Sequence, residues 1–265
     1  MANNAPIGIF DSGVGGLTVA RAIANLLPHE SFIYFGDTVH LPYGDKSEDA
    51  IKKYSTNIAE FLISEGAKAI VIACNSASAV AYNLLVEQFG RTVPIINVID
   101  PVAEAVTIHG HTNIGVIGTR ATIKSQAYTR GLQSFNDQVE VKPLATPLLV
   151  PVIEEGLATS NISADVLEYY LSKPELDGIS ALILGCTHYP ILHSRIEAFL
   201  KGRVEIVDSP YIVSETVSQV LAANNLLADK RHGTYEFYVS DYTETFAQIA
   251  KQFFGEDVIL VEKVI

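Results

Sequence analysis

The sequence contains two cysteines, Cys74 and Cys186. Each closes an aliphatic run, Ala69-Ile70-Val71-Ile72-Ala73-Cys74 and Ala181-Leu182-Ile183-Leu184-Gly185-Cys186, and each is followed by short polar residues, Asn75-Ser76 and Thr187-His188. A thiol after a buried strand and ahead of a helix meets the positive end of the helix dipole. That position is expected to lower its pKa from about 8.5 and favour the thiolate. Free cysteine is among the most buried and inert residue types, so one alone carries little meaning. Two at matching places suggest chemistry. A single fixed base returns a proton to the face it came from, whereas a thiolate and a thiol on opposite sides of a carbon invert it, with roles that exchange with direction. Such acid–base catalysis gives about 10² to 10⁴ in rate. The remainder must come from positioning and from donors aimed at a developing enolate-like carboxylate.

Candidate helpers lie on neighbouring turns. Asp11 and Ser12 open the Gly-rich segment Asp11-Ser12-Gly13-Val14-Gly15-Gly16, where an Asp also serves as a helix N-cap. His188 stands two residues beyond Cys186 and can tune a thiol's protonation. Glu154 and Glu155 are acids after Pro151-Val152-Ile153, equally readable as exposed helix charges. The Gly-rich segment with Asp37 imitates a dinucleotide fold, but its spacing is not G-x-G-x-x-G. Cys186-x-His188, Asp37-x-x-His40 and His109-x-His111 are isolated pairs without a fuller ligand set, so no metal is expected. No lysine occupies these turns to anchor a Schiff-base cofactor. A disulfide between the two cysteines would need their Cα atoms within roughly 7 Å.

Strand and helix patterns alternate around these positions. Ile7 to Phe10, Phe32 to Phe35 and Ala69 to Ala73 read as strands. Val19, Ile23, Leu26 and Leu27 recur at helical spacing up to Pro28. Ile51, Tyr54, Ile58, Phe61 and Leu62 mark one face of a second helix closed by Gly66. This order predicts doubly wound α/β architecture with a parallel sheet, whose ligands bind beyond the carboxyl ends of the strands. The chain also repeats itself weakly. Ile7–Ser12 lines up with Ile114–Thr119, Ala69–Cys74 with Ala181–Cys186, and Val98–Asp100 with Ile206–Asp208. Aliphatic residues recur in any buried parallel strand, but a cysteine after the same strand in both halves is more specific. The expectation is two similar doubly wound domains related by a pseudo-two-fold axis, with the site in the cleft between them. The first would comprise residues 1–98 and 208–265 and carry Cys74. The second would comprise residues 99–207 and carry Cys186. Strands near Glu236–Val239 and Val258–Val261 are expected back on the first domain.

Composition narrows the class. Of 265 residues, 48% are hydrophobic and 18% charged, which fits a packed core rather than disorder. The net charge of -12, with no basic cluster, argues against nucleic acid as a partner. It also means that an acidic substrate must be held locally by backbone N–H groups, hydroxyls and amides. No apolar run reaches the ~20 residues of a membrane span, and no signal-peptide pattern opens the chain. Two distant cysteines suit a reducing cytoplasm.

Six blocks together resemble the bacterial glutamate racemases of the Asp/Glu racemase family. They are Phe10–Leu17, Gly36-Asp37-Thr38 with Pro42-Tyr43-Gly44, Ala73–Ala79, Ile117-Gly118-Thr119 with Thr122, Glu154-Glu155-Gly156, and Leu184–Pro190. The resemblance implies interconversion of L- and D-glutamate without a cofactor, supplying D-glutamate for peptidoglycan in the cytoplasm, by a homodimer. Cys74 and Cys186 match the family's catalytic acid/bases. Asp11, Glu154 and His188 match its supporting ionisable groups, with Glu155 an alternative to Glu154. Ser12, Tyr43, Gly44, Asn75, Ser76, Thr119, Thr122 and Thr187 match its substrate-binding positions, together with Asp11 and His188. Ser76 stands where many members carry Thr, and Thr146 where many carry Cys. His40-Leu41 varies a loop that could alter how substrate arrives. The early first strand is not expected to leave room for an activating N-terminal extension. Aspartate racemisation is a close alternative, since one methylene is worth only about 1 to 3 kcal/mol of discrimination. A non-catalytic nucleotide- or phosphate-binding protein built on Gly13–Gly16 is an alternative of another class.

Overall fold

The computed structural model describes residues 4–229, 233–256 and 258–265. The first half runs β1 (Ile7–Asp11), α1 (Leu17–Leu26), β2 (Phe32–Gly36), α2 (Glu48–Ser64), β3 (Ala69–Ile72), α3 (Asn75–Phe89) and β4 (Ile95–Asn97). Helix α4 (Asp100–Ile108) leads into β5 (Asn113–Gly118), α5 (Arg120–Ser125), α6 (Ala127–Phe135), β6 (Glu140–Ala145), α7 (Leu149–Glu154) and α8 (Asn161–Leu171). Then come β7 (Ala181–Gly185), α9 (His193–Leu200) and β8 (Glu205–Val207). Helix α10 (Ser209–Ala223) returns the chain to β9 (Tyr235–Val239), α11 (Glu244–Phe253) and β10 (Leu260–Glu262).

Local chemistry explains the boundaries. Ser47 caps α2 by accepting from the Ala50 N–H at 3.3 Å, and Gly66 turns the chain after it at φ +86°. Ile51, Ile58 and Leu62 of α2 are buried as the spacing predicts. In α1 the expected face holds at Val19 and Ile23, but Leu26 is exposed. Leu27, four residues after Ile23, takes the place against the core instead. Strands β1, β2, β3 and β7 are buried along their whole length, as parallel strands covered by helices must be.

The strands form two all-parallel sheets, giving two α/β domains. One has the order β10-β9-β2-β1-β3-β4 and the other β6-β5-β7-β8. Leaving out β9 and β10, the two orders correspond strand for strand. Register matches as well: Ile7 pairs with Ala69, and Ile114 with Ala181, the same positions that line up in sequence. The third alignment slips. Ile70 pairs with Ile95 while Leu182 pairs with Ile206, so the counterpart of Ile206 is Ile95 rather than Val98. In this register the counterpart of Asp208 is Asn97 rather than Asp100, and both side chains accept from N–H groups at the start of the next helix. Strand β4 stops at Asn97, whose side-chain oxygen accepts from the Ile99 and Asp100 N–H groups. Strand β8 ends one position earlier, at Val207, and Asp208 caps α10 through the Tyr211 N–H.

The C-terminal strands extend the first sheet beyond β2, with Phe32 opposite Tyr235 and their rings stacked at 4.4 Å. The chain crosses between sheets through α4 and α10, which pack on each other. One buried apolar cluster includes Val19, Val98, Ile117, Leu184 and Val213, so the two halves share a continuous core. Among the described residues no helix is long and apolar enough to cross a membrane.

Candidate active site

In both sheets the central pair, β1 with β3 and β5 with β7, is where the strand order reverses, and a crevice opens there at the carboxyl ends. Asp11 ends β1, Cys74 follows β3, Thr119 follows β5 and Cys186 follows β7. A pocket between the halves receives both cysteines. Its volume of about 150 Å³ far exceeds the space one water needs, so a small solute fits. Ser12, Tyr43, Gly44, Asn75, Ser76, Thr119, Glu154, Thr187 and His188 also line it. Asp11 and Thr122 stand behind the wall, wholly buried.

Cys74 is the N-cap of α3, and its sulfur accepts from the Ala77 N–H at 3.5 Å. Its thiol donates to Ser12 Oγ at 3.6 Å. The helix position is as expected, but its effect on the thiol is not. Burial disfavours the thiolate, the Asp11 carboxylate adds repulsion, and together they push the Cys74 pKa up to about 12. The Ala77 and Ser12 contacts oppose this and lose.

Asp11 does not cap α1 at the usual position, which Gly16 occupies. Its Oδ2 accepts from the Gly13 and Gly16 N–H groups at 3.1 and 3.0 Å, and its Oδ1 from the Thr187 hydroxyl at 3.4 Å. The N–H groups that a phosphate would need are thus partly taken by the protein's own carboxylate. A Cβ on Gly15 would collide with His188 Nδ1, so the glycine lets the second half approach. The Gly-rich segment is a packing surface between halves, not an open anion cradle, which removes the basis of the nucleotide-binding alternative.

Cys186 departs from the expected helix start. A 3-10 turn at Tyr189–Leu192 precedes α9, so no α-helix begins directly after this sulfur. It has an imidazole instead: Cys186 Sγ is 3.8 Å from His188 Nδ1. On the far side, His188 Nε2 lies 3.1 Å from Glu154 Oε1. Both atoms are buried and off hydrogen-bond geometry, so the contact acts as an ion pair. Burial alone would lower the His188 pKa, but Cys186 and Glu154 outweigh it and raise the value to about 10. Glu154, not Glu155, makes this contact; Glu155 is exposed at the end of α7. Phe253 of α11 meets the imidazole edge-to-face at 5.5 Å.

Hydroxyls join the halves on the opposite wall. Ser76 Oγ lies 2.8 Å from Thr119 Oγ1 and 3.3 Å from Thr122 Oγ1. Thr119 caps α5 through the Thr122 N–H. The Tyr128 hydroxyl donates to Asn75 Oδ1 at 2.7 Å, which orients the amide and leaves its NH₂ unused in that bond. The Tyr43 hydroxyl donates to Asp37 at 2.6 Å, so Tyr43 offers the pocket its ring and backbone rather than its O–H. His40 bonds the same Asp37 and stacks on Tyr54. Thr146 Oγ1 lies 2.8 Å from the Tyr189 hydroxyl. Among the described residues, no three His, Cys, Asp or Glu side chains converge to hold a metal.

Sequence reasoning missed Asp45, Arg120, Pro147, Val150, Pro151 and Tyr189, which also line the pocket. Pro151 and Tyr189 belong to motifs whose acids, thiol and imidazole carry the more obvious chemistry. Asp45 and Arg120 directly follow Gly44 and Thr119, and that adjacency was the only signal for them.

The family described as Asp/Glu/Hydantoin racemase matches residues 15–216. A glutamate racemase of Geobacter metallireducens is 42% identical over 253 residues, covering 94% of this chain and 92% of that one. The structure of Francisella tularensis glutamate racemase in complex with D-glutamate aligns with a TM-score of 0.92 at 38% identity, over 99% of this chain and 98% of that chain. Thermus thermophilus glutamate racemase in complex with β-chloro-D-alanine aligns at 0.89 and 39% identity, over 100% and 99%. The pocket with a cysteine from each half, the paired sheets and these relatives lead to one assignment: the chain belongs to the Asp/Glu/hydantoin racemase family.

Proposed function

We propose that this protein racemises glutamate without a cofactor, with Cys74 and Cys186 as the two acid/bases. One observation carries the reading: two cysteines end equivalent strands of two matching sheets and line one pocket. With its pKa near 12, Cys74 is a thiol at neutral pH and fits the role of acid. Cys186, beside an imidazolium at His188, fits the role of base in that direction. Removal of the α-proton by Cys186 and delivery from Cys74 to the other face inverts the carbon. The sulfur charges are then exchanged, ready for the reverse reaction. Ser12, Asn75, Ser76, Thr119 and Thr187 supply short polar groups for the two carboxylates and the ammonium. Asp11, Glu154 and Thr122 act from behind by orienting these groups. A relative whose structure was obtained in complex with D-glutamate supports reading the longer substrate here rather than aspartate.

The proposal extends to the supply of D-glutamate for peptidoglycan in the cytoplasm, by a homodimer. Residues 1–98 with 208–265, and 99–207, would be the two domains. The test is solvent-deuterium incorporation at Cα of L- and D-glutamate by wild type, Cys74→Ser and Cys186→Ser, with aspartate in parallel. Each substitution is expected to cut racemisation by roughly 10² to 10⁴. Near-normal racemisation in either variant would overturn the two-base assignment. Equal turnover of aspartate would overturn the substrate assignment.

A further inference from the structure

At the pocket rim, Arg120 Nη1 donates to Asp45 Oδ1 at 2.9 Å. The pair spans the cleft. Asp45 ends the 3-10 turn Tyr43–Asp45 of the first half, and Arg120 is the first residue of α5 in the second. The backbones meet closely there, since a Cβ on Gly44 would lie 2.8 Å from Thr119 Cβ. Both charged side chains are more than half exposed, at 61% and 56%, yet both line the pocket. The other ionisable groups on the wall are His188 and Glu154, which face each other deep inside, the two cysteines, and the tyrosines. Among the described residues Arg120 is therefore the pocket's one outward-facing cation, on a protein of net charge -12.

An exposed ion pair gains little stability in water, so the contact is a poor strap. It is well suited to exchange. Glutamate carries two carboxylates and one ammonium, and the acidic protein repels it at long range. We infer that Arg120 is the residue that captures the substrate's carboxylate at the mouth, and that Asp45 competes for the same guanidinium, holding it until substrate arrives and recovering it when product leaves. The inference rests on the proposed glutamate reading and adds a residue pair that governs admission rather than proton transfer.

The sign of the effect separates capture from strapping. Arg120→Gln is expected to lower kcat/KM for glutamate about tenfold at low ionic strength, with the loss in KM and with kcat within about twofold. Its remaining kcat/KM should rise with added salt, because only repulsion is left to screen. Asp45→Asn is expected to raise kcat/KM several-fold at low salt, since Arg120 is then unopposed, and that gain should fade as salt is added. Affinity for D-glutamate, measured by calorimetry without turnover, should follow the same opposite signs. A strap would lose function when either partner is removed. Variants that move affinity in the same direction, or not at all, therefore overturn the inference. Wild-type turnover of glutamate tests the functional reading separately, and the affinities decide this one whatever that turnover is.

Discussion

Cys74 and Cys186 end equivalent strands, yet their surroundings carry opposite charge. Cys74 sits on the N-terminus of α3 with a buried carboxylate behind it, and its pKa is driven up. Cys186 precedes a 3-10 turn and faces an imidazole whose pKa Cys186 itself and, behind it, Glu154 raise to about 10 against the effect of burial. The repeated sheet thus fixes where a sulfur stands, and the groups facing it, Asp11 at Cys74 and His188 at Cys186, make the two surroundings differ. In the proposed two-base reading this difference makes the two sulfurs unequal before substrate binds, with Cys74 starting as the thiol.

The comparison breaks most readily at Gly15. Gly15→Ala puts a methyl against His188 Nδ1 and Thr187 Oγ1. Displacing the imidazole from Cys186 is expected to cost about 10²-fold in kcat, since misplacement near 1 Å has that scale. Normal kcat in this variant would show that the approach of the halves does not position His188.

Glu154→Gln sharpens the contrast next. Without the carboxylate the His188 pKa falls below about 10, part of the way only, because the larger contact, Cys186, remains. The rate should then decline at lower pH than in wild type, leaving a deficit of about tenfold at pH 9 as the imidazolium is lost earlier. Stability follows the same linkage. A histidine whose pKa is raised on folding contributes fully below its unfolded value, about 6.5. That contribution is lost as pH rises toward about 10. Melting temperature against pH across this window should flatten in the variant, and an unchanged profile would contradict the ion pair.

The smallest effect is expected on the other side. In a Cys186→Ser background, Asp11→Asn should lower the midpoint for alkylation of Cys74, read from iodoacetamide rates against pH. The change is partial because burial, the larger cause, remains. A midpoint that stays or rises would remove Asp11 as a source of the asymmetry.

What could be read from the sequence follows the same division. The strands and the strand-end cysteines were legible because each is a short local pattern, and two of the three alignments of the repeat held because they compare such patterns. The α3 cap at Cys74 was legible too, but the direction of its pKa was not. A helix start is visible in a run of residues, whereas the burial that outweighs it, and the carboxylate from another strand that adds to it, are not. The α-helix expected after Cys186 failed because Thr187-His188-Tyr189-Pro190 closes a tighter turn first. Contacts between the halves stayed hidden. Ser76 with Thr119, Asp11 with Thr187 and Asp45 with Arg120 are each far apart in sequence, and only packing brings them together.

The return of the chain to its first sheet has a consequence for synthesis. Ser31 and Thr234, which bond beside the β2–β9 seam, are 203 residues apart. At translation rates of about 5 to 20 residues per second, roughly 10 to 40 s pass before β9 emerges to cover β2. During that interval the apolar strand Phe32-Ile33-Tyr34-Phe35-Gly36 presents an unpaired edge. The nascent chain is open to aggregation there, at a strand that is fully covered in the finished molecule.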